Sequence, residues 1–130
     1  MLRTLAVLAI AALTCGVAVA PAAAQPAAAP CAYELTPPHL VDVSGTTMVA
    51  ATVDTGACDG AVTHQTTACL QTAGDTGPGR CARGRGIVPA QVFAPYRPGT
   101  TYTATGQGCA LKGNPPQSSC AHQDPLTATL

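Results

Sequence analysis

The side chains that could do acid–base or metal chemistry are few and widely spaced. The only imidazoles belong to His39, His64 and His122, and their spacing shows none of the short pairs typical of metal-binding motifs. An enzyme needs groups of tuned acidity held close together, whereas the six carboxylates are scattered over predicted turns. They are Glu34, Asp42, Asp54, Asp59, Asp75 and Asp124. We therefore expect no catalytic residue, no metal site and no cofactor, and we predict that the protein is not an enzyme.

The one cluster of charge consists of Arg80, Arg83 and Arg85, in the glycine-rich segment from Gly79 to Gly86. The glycines predict an exposed loop, for which three interpretations stay open. The loop could simply add solubility. It could contact an acidic partner, because guanidinium groups pair bidentately with carboxylates and phosphates. It could also present an arginine to a trypsin-like protease, as an inhibitor loop stiffened by a disulfide does.

The seven cysteines indicate cross-links rather than metal ligands or nucleophiles. Cys15 belongs to the predicted leader, which leaves Cys31, Cys58, Cys69, Cys81, Cys109 and Cys120. An even number of cysteines in a small exported domain predicts three disulfides. No C-x-x-C pair exists, which disfavours zinc and thioredoxin-type sites. The count alone allows 15 pairings.

Residues 1–24 are predicted to form a secretory signal peptide, with a positive start, an apolar run and small residues before the cleavage point. Cleavage is expected after Ala24, with Ala20 as the alternative. The apolar stretch from Leu5 to Ala20 is shorter than the roughly 20 residues that span a bilayer. We expect a secreted protein with no membrane span after cleavage. Acylation of Cys15, which would anchor the protein to the cell envelope, is the alternative.

Composition limits what the rest of the chain can be. The 130 residues carry a formal net charge of zero and only 9% are charged, which argues against a nucleic-acid partner. The length allows one domain, at residues 35–130, after a Pro/Ala linker and chain entry at residues 25–34. With no Trp, one Phe and three Tyr, its core is thin and needs the disulfides. We expect a monomer.

From Leu40 onward, apolar and polar residues alternate with a period of two between turn residues. Short strands at regular spacing, rich in Val and Thr, predict an all-β sandwich. In the strand from Val62 to Leu70, strict alternation places His64 on the apolar face beside Val62. The segment 72–86 is expected to be irregular, with one short edge strand near Cys81.

Two further strands carry particular signals. Ile87–Phe93 is expected to be a strand in which Pro89 marks an edge or a bulge. The alternation from Thr100 to Gly106 predicts the strand after it, and Leu126–Leu130 is expected to end the domain. Together the segments predict seven strands.

One segment resembles a known family. Tyr96–Thr103, which reads YRPGTTYT, is similar to the L-x-P-G-T-x-Y-x signature before the sixth strand of fibronectin type III domains. The resemblance implies a fibronectin type III or immunoglobulin-like sandwich in which Tyr102 is the corner tyrosine, with its hydroxyl bonded to upstream backbone. The chain lacks the usual Trp, and Ala104 stands where immunoglobulins have Cys. As a whole the chain resembles small exported proteins of mycobacteria and other actinobacteria.

The implied topology suggests which cysteines meet. Chain entry and two of the loops share one end of such a sandwich. This implies the pairs Cys31–Cys58, Cys69–Cys81 and Cys109–Cys120, the last across the neck of a polar loop, Lys112–Ser119. Loops at this end commonly bind ligands, so Lys112, Asn114 and Gln117 join the three arginines as candidate binding residues.

These observations favour a secreted, non-enzymatic protein that binds an unknown extracellular or cell-envelope partner through its loops. Two alternatives remain from other classes. One is a disulfide-stapled protease inhibitor using Arg80, Arg83 or Arg85. The other is a small-molecule carrier, which needs an apolar crevice between the strands.

Overall fold

The computed structural model describes residue 22 and residues 29–130. The predicted signal peptide (apart from residue 22), both candidate cleavage positions, Cys15 and most of the predicted linker lie outside the described residues. In the described part, no helix is long and apolar enough to cross a membrane.

The domain is all-β and contains eight strands, one more than the sequence predicts. They are β1 (Cys31–Leu35), β2 (His39–Val43), β3 (Thr46–Cys58), β4 (Ala61–Thr72), β5 (Arg80–Arg85), β6 (Ala90–Pro95), β7 (Thr101–Lys112) and β8 (Gln117–Thr129). The turn between β2 and β3 has positive φ at both Ser44 and Gly45. That is the geometry of the type I′ turns that match the twist of a hairpin.

The strands form two four-stranded antiparallel sheets. In the first, β3 pairs with β1 and β2 along one side and with β6 along the other. The second has the order β5-β4-β7-β8. Pro89 ends the turn before β6, and β6 lies at a sheet edge, where proline is tolerated because a missing N–H breaks no ladder bond.

The core lies between the sheets and is built mainly of small side chains. The largest fully buried ones are Tyr102, Leu70, Val49 and Val53, with Thr63 and Thr66 among them. Six buried alanines from β3, β4, β6 and β7 occupy much of the remaining core: Ala51, Ala68, Ala90, Ala94, Ala104 and Ala110. Small side chains let the sheets approach but remove little apolar surface from water.

Three strand boundaries differ from the prediction. β1 begins at Cys31, inside the segment expected to be chain entry. The strand expected at Ile87–Phe93 is β6, and it begins only at Ala90 because Gly86–Pro89 turn the chain from one sheet to the other. The hairpin β7–β8 extends to Lys112 and Gln117, so its loop is 113–116 rather than 112–119.

The predicted position of His64 on the apolar face is wrong, because a bulge interrupts β4. The pairing of β4 with β7 shifts register between Thr63 and Gln65, which leaves His64 as the extra residue. A bulge of one residue reverses which face the alternate side chains occupy. Thr63 and Thr66 are therefore buried, while Val62 and His64 are exposed.

Candidate functional site

Each disulfide joins two residues that are direct neighbours across an antiparallel ladder. The pairs are Cys31–Cys58 in β1 and β3, Cys69–Cys81 in β4 and β5, and Cys109–Cys120 in β7 and β8. These are the same three pairs that the implied topology suggested. All three fix strand to strand within a sheet, so the sheets are held to each other by side-chain packing.

The end of the domain that holds Cys31 and Cys58 also gathers loops from both sheets. The Asp59 N–H donates to the Pro30 carbonyl at 2.8 Å, which brings chain entry to the β3–β4 loop. The Lys112 Nζ lies 3.5 Å from the Asp59 Oδ2, which brings the tip of the β7–β8 hairpin there too. Chain entry, the β3–β4 loop and the tip of the β7–β8 hairpin thus share one end of the domain.

The β7–β8 hairpin presents the candidate residues Lys112, Asn114 and Gln117. All three are exposed, Lys112 and Gln117 as the last and first residues of their strands and Asn114 in the turn, before a cis bond to Pro115. Cys109–Cys120 fixes the ladder three residue pairs below the tip. The tip is therefore a short projection on a braced hairpin, rather than the long loop that the sequence predicts.

Exposed apolar side chains lie at the same end, and the sequence analysis missed them. Val62 and Leu111 are direct partners in the β4–β7 ladder, 67% and 38% exposed. Ile87 and Val88, in the β5–β6 turn, are 77% and 62% exposed. The Gly86 N–H donates to the carbonyl of residue 64 at 3.0 Å, so this turn lies beside the same end of β4.

We call these seven residues the hairpin-end surface: Val62, Ile87, Val88, Leu111, Lys112, Asn114 and Gln117. This surface combines apolar side chains with polar ones at its rim. Its residues lie in turns and at strand ends of a disulfide-linked sheet. Exposed apolar groups accompanied by polar side chains are found at protein interaction sites.

The three candidate arginines lie on strand β5 rather than in a loop. Arg80, Arg83 and Arg85 pair with Leu70, Thr67 and Gln65 of β4. All three are exposed, and within the described part of the chain none of them forms an ion pair, since the salt bridges there are Arg97–Asp75 and Lys112–Asp59. An inhibitor loop would present its arginine from a protruding segment, which this strand is not.

Tyr102 is completely buried, and its hydroxyl bonds to backbone upstream in the chain. The hydroxyl donates to the Pro95 carbonyl at 2.9 Å and accepts from the Arg97 N–H at 2.8 Å. These two bonds fix the chain between β6 and β7 against the core. The role implied for Tyr102 is therefore structural, and the side chain is unavailable to a ligand.

The histidines do not converge. His39 Nδ1 lies 2.9 Å from the Pro37 carbonyl, His64 Nε2 lies 3.2 Å from the Ser118 hydroxyl, and His122 is exposed on β8. Over residues 22 and 29–130, no group of three or more His, Cys, Asp or Glu side chains could hold a metal ion.

Comparison of the chain with models of protein families, with curated proteins and with solved structures found no match. The function must therefore be argued from the chain's own residues.

A depression of about 230 Å³ lies on the outer face of the second sheet. Its lining includes Thr67, Thr105, Gln107 and His122, which carry hydroxyl, amide and imidazole groups. Small-molecule pockets of about 300–1,000 Å³ are mostly apolar. The depression is smaller than the crevice that a carrier of apolar molecules needs.

Proposed function

We propose that this chain is a secreted, non-enzymatic β-sandwich of the fibronectin type III or immunoglobulin-like kind. It binds an extracellular or cell-envelope protein through the hairpin-end surface. The observation that carries the proposal is the exposure of Val62, Ile87, Val88 and Leu111 at one end of the domain.

Burial of these side chains supplies a driving force for binding. Removing a Val or Leu side chain fully from water contributes about 1.5–3 kcal/mol, and every 1.4 kcal/mol is a tenfold change in affinity. Lys112, Asn114 and Gln117 lie next to the apolar groups and can supply the polar rim. A partner with an apolar patch surrounded by hydrogen-bonding groups fits this surface.

Rigidity supports the same interpretation. The surface is built on the ends of paired strands, and Cys109–Cys120 lies directly beneath the hairpin tip. A surface that is already ordered loses little conformational entropy on binding. Three disulfides are also consistent with an extracellular protein, because such bonds persist in oxidising compartments.

The proposal is tested by photo-cross-linking in the cells that make the protein. A photoreactive amino acid replaces Asn114 in one variant and Thr127, which lies on β8 far from the hairpin tip, in the control. We expect a discrete cross-linked protein at position 114 and none at position 127. Equal labelling at the two positions, or no cross-link at position 114, would contradict the proposal.

The captured protein is then purified, and its affinity is measured against two double variants. Val62→Ser with Leu111→Ser is expected to weaken binding about tenfold or more, because two buried apolar side chains are lost. The matched control is Leu40→Ser with Val43→Ser, which changes two exposed apolar residues of β2 at the opposite end. Similar losses in both variants would show that the hairpin-end surface is not the contact.

A further inference from the structure

The outer edge of β5 has backbone groups that point away from the sheet. The Cα atoms of Cys69 and Cys81 are 4.1 Å apart, which fits a non-hydrogen-bonded antiparallel pair (about 4.5 Å) better than a hydrogen-bonded one (about 5.5 Å). The Gly86 N–H donates to a β4 carbonyl, so the backbone N–H and C=O groups of the even-numbered residues in β5 point toward β4. The N–H and C=O groups of Cys81 and Arg83 therefore face outward.

No strand occupies this edge in the part of the chain that the structure describes. β5 pairs with β4 alone. The chain that leaves β5 passes beneath the strand. There the Val88 carbonyl lies so close to Gly84 that any side chain at position 84 would collide with it. The Arg85 carbonyl accepts the Val88 N–H at 3.1 Å. The open hydrogen-bonding groups are those of Cys81 and Arg83, together with the Arg85 N–H.

The side chains along this edge carry positive charge that has no partner. Arg83 and Arg85 are exposed on the outer face, where their neighbours Thr67 and Gln65 are uncharged. Two residues apart on a strand, they are separated by about 7 Å, which is also the spacing of alternate side chains on any added strand. Neither has an ion-pair partner in residues 22 and 29–130.

We infer that the β5 edge binds an extended acidic polypeptide segment by strand addition. The segment lies antiparallel to β5 and exchanges backbone hydrogen bonds with Cys81 and Arg83. Its alternate carboxylates pair with the guanidinium groups of Arg83 and Arg85. In strand addition the backbone supplies affinity and the alternating side chains supply specificity, and Arg–carboxylate bonds are among the stronger charge-assisted pairs.

Charged side chains on edge strands usually prevent pairing with strands of other chains. In the proposed site they also determine which strand can pair with β5. A second copy of this chain pairing β5 with β5 would bring arginine against arginine, and like charges directly opposite are destabilising. An acidic strand meets no such repulsion. The edge therefore excludes self-association and admits an acidic segment.

This site adjoins the hairpin-end surface at the β5–β6 turn, but the two share no residue and the site does not rest on the proposed function. Arg83 and Arg85 take no part in that surface, and its residues Lys112 and Leu111 take no part here. The two proposals can therefore fail independently of each other.

The test measures binding of a fluorescent eight-residue peptide that alternates Thr and Glu, blocked at both ends. A peptide that alternates Thr and Lys reports on charge. Two further acidic peptides carry N-methyl groups, on the Glu residues in one and on the Thr residues in the other. A Glu opposite Arg83 directs its own N–H at β5, whereas the Thr N–H groups point to solvent.

We expect the unmodified acidic peptide and its Thr-methylated form to bind, and the Lys peptide and the Glu-methylated form to bind at least about tenfold more weakly. Hydrogen exchange at the Cys81 and Arg83 amides should slow when the peptide is bound. Equal binding of the two methylated peptides would show attraction by charge alone and would overturn strand addition. Absence of binding by the acidic peptide would overturn the site.

Variants locate the site on the protein. Arg83→Gln with Arg85→Gln is expected to weaken acidic-peptide binding about tenfold, and both side chains are exposed, so the fold should persist. Lys112→Gln removes a positive charge from the hairpin tip and should leave binding unchanged. Equal losses in the two proteins would place the peptide elsewhere.

Discussion

At the residue scale, the Tyr102 hydroxyl does more than fill space. The ring is fully buried, and its single oxygen satisfies one backbone acceptor and one backbone donor on the segment before β7. A buried polar group left without a partner costs about 1–3 kcal/mol. The hydroxyl thus fixes the path of the chain where it crosses from one sheet to the other.

We expect Tyr102→Phe to lower the free energy of unfolding by about 1–3 kcal/mol, because the Pro95 carbonyl and the Arg97 N–H lose their partner. Urea unfolding measures the change. Tyr96→Phe is the matched control, since Tyr96 also packs against the core but its hydroxyl makes no hydrogen bond within residues 22 and 29–130. A loss as large for Tyr96→Phe would show that the bonds of Tyr102 contribute nothing of their own.

The role of Tyr102 could be predicted from the sequence, whereas that of Gly108 could not. Gly108 lies beyond the strand predicted at Thr100–Gly106, yet both Gly106 and Gly108 are buried within β7. A side chain at position 108 would run into the ring of Tyr33, which is buried and whose hydroxyl lies 3.2 Å from the Thr63 hydroxyl. Glycine is used here for close approach rather than for a turn. Such a contact joins residues 75 positions apart, and local pattern cannot reveal it.

At the element scale, the alternation of apolar residues predicted most of the strands but not their lengths. β7 and β8 are longer than expected because small residues and a disulfide, rather than large apolar side chains, occupy their ends. The arginine segment was expected to be an exposed loop with one short edge strand near Cys81, and all of Arg80–Arg85 is the edge strand β5. Its Gly84 lies where the chain passes beneath the strand. Neither feature follows from a period-two alternation of apolar side chains.

The three disulfides are all bonds between neighbouring antiparallel strands, but they close loops of different length. Their contributions to stability can therefore be compared as a function of loop length. Cys31–Cys58 spans 27 residues and Cys69–Cys81 spans 12. In the loop-entropy account each contributes about 3 kcal/mol, and the longer loop contributes about 0.7 kcal/mol more. Cys31 is also buried in the core, so removing it adds a cavity cost in the same direction.

We therefore expect Cys31→Ala with Cys58→Ala to destabilise the domain more than Cys69→Ala with Cys81→Ala does, as measured by urea unfolding. Cys109→Ala with Cys120→Ala is the control for loop length, because its span of 11 residues nearly equals 12. It should cost slightly more than the Cys69–Cys81 variant, because Cys109 is also buried, and less than the Cys31–Cys58 variant. The reverse order would show that local sheet geometry, rather than loop closure, sets the contribution of each bond.

At the scale of the whole molecule, the candidate surfaces depended on features that the sequence presents only in part. Lys112, Asn114 and Gln117 were identified by their position near a hairpin. Val62 was assigned to the core side of its strand, and the bulge at His64 turns it outward beside Leu111. Val62 belongs to the hairpin-end surface because of that one extra residue, so its place there required the register of the sheet.

The whole domain also combines a weak core with strong cross-links. Its buried side chains are mostly alanine, valine and threonine, and the disulfides together contribute about 9 kcal/mol in the loop-entropy account. That sum is comparable to the entire net stability of an ordinary domain, about 5–15 kcal/mol. Stability without the disulfides should therefore be near zero.

We expect full reduction at neutral pH to abolish the cooperative urea transition, because the small core alone cannot offset the entropy of the ordered chain. Urea unfolding monitored by circular dichroism, with and without a strong thiol reductant, measures this, and reoxidation should restore the transition. A reduced protein with an unchanged slope and midpoint would refute the argument. Disulfides persist in oxidising compartments and are rare where thiols are kept reduced, so the expected result would mean that this chain reaches its native state only under oxidising conditions.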